Sequence, residues 1–230
     1  MRAAGFLLLL FPVAALADSE GFPALSPADL GVRVEKPVGD GKQFSQGSGV
    51  FLGGSGLVLT AQHVVKYDPG NPKVTVLIDG WRRDGALVAD GLKESVDLAL
   101  IALHPEELGE RRRAQPSVSV CAGNPGPSQP VVVAALGTVS NSVTIPSPIT
   151  SDLQTGTWTN ILATGYHQGN SGGGVFDPQH GCLWGILSFE LSGNSKTDGK
   201  FLDLTAFVPA SKIAPFLDEY RRQANPAEKN

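Results

Sequence analysis

Gly169-Asn170-Ser171-Gly172-Gly173 decides how this chain is read, because a serine set among glycines lets the backbone bend enough to present a hydroxyl and neighbouring N–H groups to one point. A serine hydroxyl is a weak nucleophile at neutral pH. It needs a base within hydrogen-bond reach, and that base needs a third group to orient it. The motif therefore asks for two partners elsewhere in the chain. His63 stands in Leu59-Thr60-Ala61-Gln62-His63-Val64-Val65 and Asp97 in Ser95-Val96-Asp97-Leu98-Ala99-Leu100-Ile101, both ahead of the serine. Taken singly, Ser171 reads equally as a solvent hydroxyl in a turn, His63 as a core histidine and Asp97 as a strand-capping acid. Their joint occurrence favours nucleophile, base and orienting acid.

Around these residues the composition is that of a folded, strand-rich chain. Of 230 residues, 41% are hydrophobic, enough for a sizeable core, and 28 Gly and 17 Pro are spread among short apolar runs. The pattern predicts an all-β protein. Runs at 44–52, 56–60, 73–78, 85–89 and 98–103 form a first set, and runs at 117–120, 130–136, 142–145, 159–164, 174–177, 182–189 and 201–208 form a second. Two comparable sets suggest two antiparallel six-stranded β-barrels, over 43–113 and 114–209, with a cleft between them. Residues 18–42, rich in Pro, Gly and charge, read as a surface-draped lead-in. After Pro209 the spacing of Ile213, Phe216, Leu217 and Tyr220 predicts an amphipathic C-terminal helix over 210–224.

Net charge is -4, and the basic run Arg111-Arg112-Arg113 has no aromatic residues interleaved, so no nucleic-acid partner is expected. The arginines read as the exposed face of a charged linker. Arg2, the twelve-residue apolar stretch Gly5 to Leu16, and Ala15 and Ala17 flanking Leu16 read as a signal peptide, 1–17. A membrane span needs about twenty apolar residues, so no stable anchor is expected after cleavage, and the protein is expected to be exported, periplasmic or secreted. An oxidising compartment permits a disulfide between Cys121 and Cys182, with two buried free thiols as the alternative. His104 and His180 have no ligand pattern beside them and His167, near Ser171, reads as a loop histidine rather than a cleft residue, so neither metal nor cofactor is expected. The sequence sets no oligomeric state.

Thr60-Ala61-Gln62-His63, Asp97-Leu98-Ala99-Leu100-Ile101 and Gly169-Asn170-Ser171-Gly172-Gly173 resemble, in order and spacing, the histidine, acid and nucleophile motifs of chymotrypsin-like serine peptidases. Within that group the chain is most similar to bacterial HtrA-type proteases, on the strength of Gln46-Gly47-Ser48-Gly49-Val50, Gly123-Asn124-Pro125-Gly126, Gly137-Thr138-Val139-Ser140 and Val208-Pro209-Ala210-Ser211. The resemblance covers roughly residues 44 to 217. It departs at Gly174, where many relatives carry proline, and the ten residues after Tyr220 leave the expectation of a protease domain without a PDZ module.

The resemblance implies Ser171 as nucleophile, His63 as general base and Asp97 as its orienting carboxylate, with protein or peptide substrates. It implies an oxyanion hole in the Gly169, Asn170, Ser171 segment, made by the N–H groups of Gly169 and Ser171. Asn170 stands where trypsin-type zymogens carry an aspartate that pairs with a new N-terminus, so activity without such a cut is expected. The substrate pocket should draw on Gly165, Tyr166, His167, Leu187, Ser188 and Phe189, with Leu202 to Leu204 nearby. The floor candidates Gly165 to Gln168 hold no acid, so an uncharged, small to medium apolar P1 residue is expected. The competing reading is a non-catalytic or chaperone-like protein-binding module on the same scaffold.

Overall fold

Val74, Val76 and Ile78 are buried while Lys73, Thr75 and Leu77 between them are not, the period-two pattern of a strand with one face on a core. The computed structural model describes residues 26–38, 43–65, 73–92, 95–145, 160–194 and 201–224. Six strands close into a barrel: β1 (Gly31–Val38), β2 (Gln43–Phe51), β3 (Leu57–Thr60), β4 (Lys73–Ile78), β5 (Trp81–Asp90) and β6 (Ala99–Leu103), in the order β1-β2-β3-β6-β5-β4. A short helix, α1 (Pro27–Leu30), leads into β1 and is capped by the Ser26 hydroxyl. Single helical turns α2 (Gln62–Val65) and α3 (Glu110–Arg113) follow β3 and β6.

The second unit holds β7 (Pro130–Ala135), β8 (Thr138–Val143), β9 (Ile161–Leu162), β10 (Gly174–Phe176), β11 (Leu183–Asn194) and β12 (Phe201–Pro209), ordered β8-β7-β10-β11-β12-β9. It is a curled sheet rather than a second barrel closed by full ladders. Among the described residues its edges meet at a single antiparallel bridge between Thr144 and Leu162. The all-β, two-unit expectation stands, with that amendment.

Two boundaries move. Residues 31–38 are not a lead-in: β1 pairs with β2 from Gly31↔Val50 to Val38↔Gln43 and with β4, and so closes the first barrel. Its apolar alternation is only Val32 and Val34 long before Glu35, Lys36 and Pro37 interrupt it, and Glu35 is buried against Arg82 at 2.9 Å. The expected strand at 117–120 contributes only a bridge from Val120 to Leu183. The signal-peptide reading of 1–17 and the start of the lead-in lie outside the described residues.

Arg112 corrects the reading of the arginine run. It is 5% exposed. Its Nε and Nη2 donate to the Asp79 carboxylate at 2.9 and 2.6 Å, its Nη1 donates to the Asp29 carbonyl, and its guanidinium lies 5.5 Å from the Phe51 ring centroid. Planar, bidentate pairing of this kind lets an arginine be buried where a lysine would lack matched acceptors. Arg111 and Arg113 are exposed.

The core of the first barrel does not stop at the barrel. Phe176, Leu183, Ile186 and Val208 of the second sheet join it, with Ile213, Phe216 and Leu217 of α4 (Ala210–Ala224). The helix spacing read from sequence is thus the face buried across the junction. A separate cluster of Val131, Val133, Leu162, Val175, Trp184, Leu187 and Phe207 fills the second sheet. Cys121 and Cys182 are joined in a disulfide, with Cα atoms 5.1 Å apart, tying the connector between units to the β10–β11 hairpin.

Candidate active site

Pairing between β3 and β6 brings His63 and Asp97 together. Thr60 is opposite Ala99, so the chain leaves β3 toward His63 beside the point where it enters β6 from Asp97. Val64 and Val65 of α2 are buried, which fixes the turn that carries the histidine. The His63 N–H donates to Asp97 Oδ1 at 3.0 Å, and His63 Nδ1 lies 2.8 Å from Asp97 Oδ2. Burial raises the Asp97 carboxyl, but hydrogen bonds from His63 and Ser188 outweigh it and leave its pKa below the ordinary value. An ionised carboxylate only accepts hydrogen bonds, so Nδ1 carries the proton and Nε2 is left with a free lone pair. Ser188 Oγ is a further donor to Asp97 Oδ2.

Ser171 comes from the other unit, on the turn that runs into β10. Gly169 and Gly172 have φ of +94° and +90°, a region that side chains disfavour. A Cβ on Gly172 would fall 2.0 Å from the Ser48 carbonyl oxygen and 2.3 Å from Thr60 Oγ1. Backbone bonds between Gly172 and Gly173 on one side and Leu187 on the other hold the turn to β11. Ser171 Oγ donates to the Ser188 carbonyl at 3.1 Å rather than to His63. The Ser171 hydroxyl and the His63–Asp97 pair share Ser188 as a neighbour, whose carbonyl accepts from Ser171 and whose hydroxyl donates to Asp97. Hydrogen bonds between nucleophile and base are often unformed before substrate arrives.

Among the described residues, the N–H groups of Gly169 and Ser171 donate to no protein acceptor. Asn170 departs from the expected set: its N–H and its Nδ2 both donate to the His167 carbonyl, at 3.1 and 3.0 Å. It shapes the turn and is no donor to the hole. Its amide is satisfied locally, by the His167 carbonyl.

The expected pocket residues separate into three groups. Leu187 is 1% exposed and packs into the core of the second sheet, so it lines no open pocket. Ser188 is 2% exposed and spans the site, with its hydroxyl on Asp97 and its carbonyl on Ser171. Gly165 and Tyr166 are half-buried, His167 is exposed, and Phe189 packs against Ile161, Leu204 and Ala206. Tyr166 N–H donates to Thr205 Oγ1 at 2.7 Å, and its hydroxyl meets Ser140 Oγ at 2.8 Å. Burial pushes the Tyr166 phenol above its ordinary value.

Ser48 escaped the sequence reading. It is fully buried on β2, yet it makes three bonds to the second unit. Its N–H donates to the Ser171 carbonyl at 2.7 Å, its hydroxyl donates to the Gly169 carbonyl at 2.9 Å, and that hydroxyl accepts the Leu136 N–H at 2.9 Å. Thr60 Oγ1 in turn donates to the Ser48 carbonyl at 2.6 Å. The stretch Gln46 to Val50 marked the place; a contact 121 residues away in sequence left no signal.

A closed barrel that carries a carboxylate-paired histidine, joined to a curled sheet that carries a glycine-flanked serine, defines the class, a chymotrypsin-like serine peptidase. The chain belongs to the trypsin-like peptidase domain family, whose model matches residues 47–186. A similar solved structure is the serine endoprotease from Yersinia pestis, with a TM-score of 0.58 and 20% sequence identity. The match covers 86% of this chain and 64% of that one, so this chain spans less than two thirds of that chain's length, and the likeness is one of fold. No curated protein matches the chain.

Proposed function

We propose that the protein is an exported serine endopeptidase that cleaves peptide bonds in protein or peptide substrates through an acyl-enzyme on Ser171. The observation that carries this reading is the His63–Asp97 pair, bonded at 2.8 Å with Nε2 facing away from the acid and free to take a proton. Ser171 Oγ turns from the Ser188 carbonyl toward His63 Nε2, gives up its proton there and attacks the substrate carbonyl carbon. The oxygen of the tetrahedral intermediate takes hydrogen bonds from the unpartnered N–H groups of Gly169 and Ser171, donors of a kind whose loss costs about 3 kcal/mol of transition-state stabilisation. His63 then protonates the leaving amine, and a water activated by the same nitrogen releases the acyl group. Asp97 holds the imidazole orientation throughout.

Export rests on the signal-like residues 1–17 and agrees with the Cys121–Cys182 disulfide, since such bonds persist in oxidising compartments. Activity without a second cut follows from Asn170, whose amide needs no ammonium to settle it.

The test is labelling of the folded wild-type protein with a fluorophosphonate, beside Ser171→Ala. Stoichiometric labelling of the wild type and none of the variant is expected. An unlabelled, folded wild type would leave the binding-module reading in its place.

A further inference from the structure

We propose a second site, at the turn between β10 and β11: when the Cys121–Cys182 disulfide is reduced, the two thiolates, the Asp177 carboxylate and the His180 imidazole bind a zinc ion. This reverses the metal-free expectation of the sequence, and it stands independently of the peptidase reading.

Phe176 and Leu183 are register partners, and the turn they close carries Asp177, His180 and Cys182. The Asp177 N–H donates to the Cys182 carbonyl and the Gly181 N–H to the Asp177 carbonyl, both at 2.9 Å. Cys121 arrives from the connector between the two units, 61 residues away in sequence. Its N–H donates to the Leu183 carbonyl at 3.1 Å, and the Leu183 N–H donates to the Ser119 carbonyl at 2.8 Å. All four bonds are between backbone groups, so opening the disulfide leaves both cysteines and the aspartate on the same frame. Ligands already gathered bind an ion without a further ordering cost.

Cys121, Asp177 and Cys182 offer one ligand atom each, and these atoms lie within 4.8 Å of one another. Tetrahedral zinc spaces its sulfur, nitrogen and oxygen ligands by about 3.3–3.8 Å, inside that limit. The Asp177 side chain is 8% exposed, so the ion meets a carboxylate largely withdrawn from water. His180 supplies the fourth ligand: its Nδ1 is 2.7 Å from Asp177 Oδ2, and its ring is 73% exposed, with room to turn. Two sulfurs with one nitrogen and one oxygen suit zinc, whereas calcium and magnesium take oxygen ligands. A dithiol donor gives the disulfide two electrons and two protons and is itself oxidised to a disulfide, after which zinc displaces the two thiol protons to solvent. The hairpin is thus tied in both states, by a covalent bond when oxidised and by the ion when reduced. That tie bears on the nucleophile, because β10 follows the Ser171 turn directly and Gly172 and Gly173 are bonded to Leu187 of β11. His180 had no ligand pattern beside it in the sequence because Cys121 enters from so far away.

The experiment compares oxidised protein with the full chain reduced by a phosphine in denaturant and refolded in the phosphine, with and without zinc. Cobalt(II) is the spectroscopic probe. The reduced protein should take up one ion per chain with thiolate-to-cobalt charge-transfer absorption, which zinc displaces, and the oxidised protein should show none. Zinc at about a hundredfold over its Kd should raise the Tm of the reduced protein by about 5 °C or more. Cys182→Ser should abolish the charge-transfer band, and Asp177→Asn and His180→Ala should each weaken cobalt binding about tenfold or more. A reduced chain that refolds only with zinc supports the site as well. A reduced, folded protein without the band overturns the proposal, as does a reduced chain that zinc fails to refold. Equal uptake by the oxidised protein also overturns it, since the ion then sits elsewhere, as at His167, Glu190 and Asp203, whose ligand atoms also lie within 4.8 Å of one another. Should Asp177→Asn fail to fold, His180→Ala decides in its place, because the exposed ring can be removed without opening the core.

Discussion

His63 and Asp97 belong to one closed barrel and meet through neighbouring strands, whereas Ser171 stands on a turn of a curled sheet and reaches the first barrel through Ser48. The first pair is fixed twice over, by the His63 N–H on Oδ1 and by Nδ1 on Oδ2. The nucleophile is fixed by its backbone and left free in its side chain, since Gly169, Ser171 and Gly172 are all anchored while the hydroxyl rests on a carbonyl. The base must not move, because its tautomer decides whether Nε2 accepts a proton. In the proposed reaction the serine must move, because it alternates between a resting partner, the base and the substrate. A doubly bonded histidine and a serine held by its backbone alone suit those two demands.

The comparison breaks most completely at Asp97. Asp97→Asn keeps the size of the side chain but no longer requires the proton to sit on Nδ1, and in the serine-protease triad this change lowers kcat about 10⁴-fold. Steady-state kinetics with the Tm beside them are the measure. A loss below about tenfold would mean the pair is not what readies the base.

Ser48→Ala tests the tether across the junction. It leaves the Gly169 carbonyl and the Leu136 N–H without their partner. Orphaned buried groups cost about 1–3 kcal/mol, and the strain falls on the backbone between the two oxyanion donors. A drop in kcat of about ten- to a hundredfold is expected, with KM changed much less, because ground-state binding does not use the hole. Equal loss in kcat and KM would make the tether a binding feature instead.

The smallest effect is on acid stability. The Asp79 carboxyl is lowered first by its hydrogen bonds from Arg112, and that of Asp97 by its hydrogen bonds in spite of burial, both from an ordinary value of 3.8. A depressed folded-state value means the unfolded chain binds more protons through the window below 3.8, so these groups stabilise the fold above it and lose that contribution as pH falls through the folded values. The Tm should therefore decline from roughly pH 4 downward, and Asp79→Asn should flatten part of that limb. Asp79 is half exposed, so its share is modest.

Legibility in the sequence followed the range of the interaction. The strands of the first barrel after residue 43 were readable because β-branched and apolar residues alternate over several positions, as in Val74, Val76 and Ile78. β1 was not, because only Val32 and Val34 carry the pattern, and Glu35 is buried beside Arg82 rather than exposed as its type predicts. Arg112 misled for the same reason, its burial being set by Asp79, Asp29 and Phe51 far along the chain. His63, Asp97 and Ser171 were legible as local motifs, and Ser188 as a neighbour of the pocket. Ser48 was not, since its partner Gly169 approaches only once strands from different parts of the chain are side by side.

By itself, then, the sequence determined the residue types that chemistry needs: a serine between glycines, a histidine, an acid and enough short apolar runs to build sheets. Those are local properties of composition and backbone freedom. The closure of one barrel but not the other, the tautomer of His63, the anchoring of Ser171 through Ser48 and the gathering of Cys121, Asp177 and Cys182 were decided by tertiary structure. Each depends on a distance between residues far apart in the chain, and burial and hydrogen bonding act on that distance rather than on sequence separation.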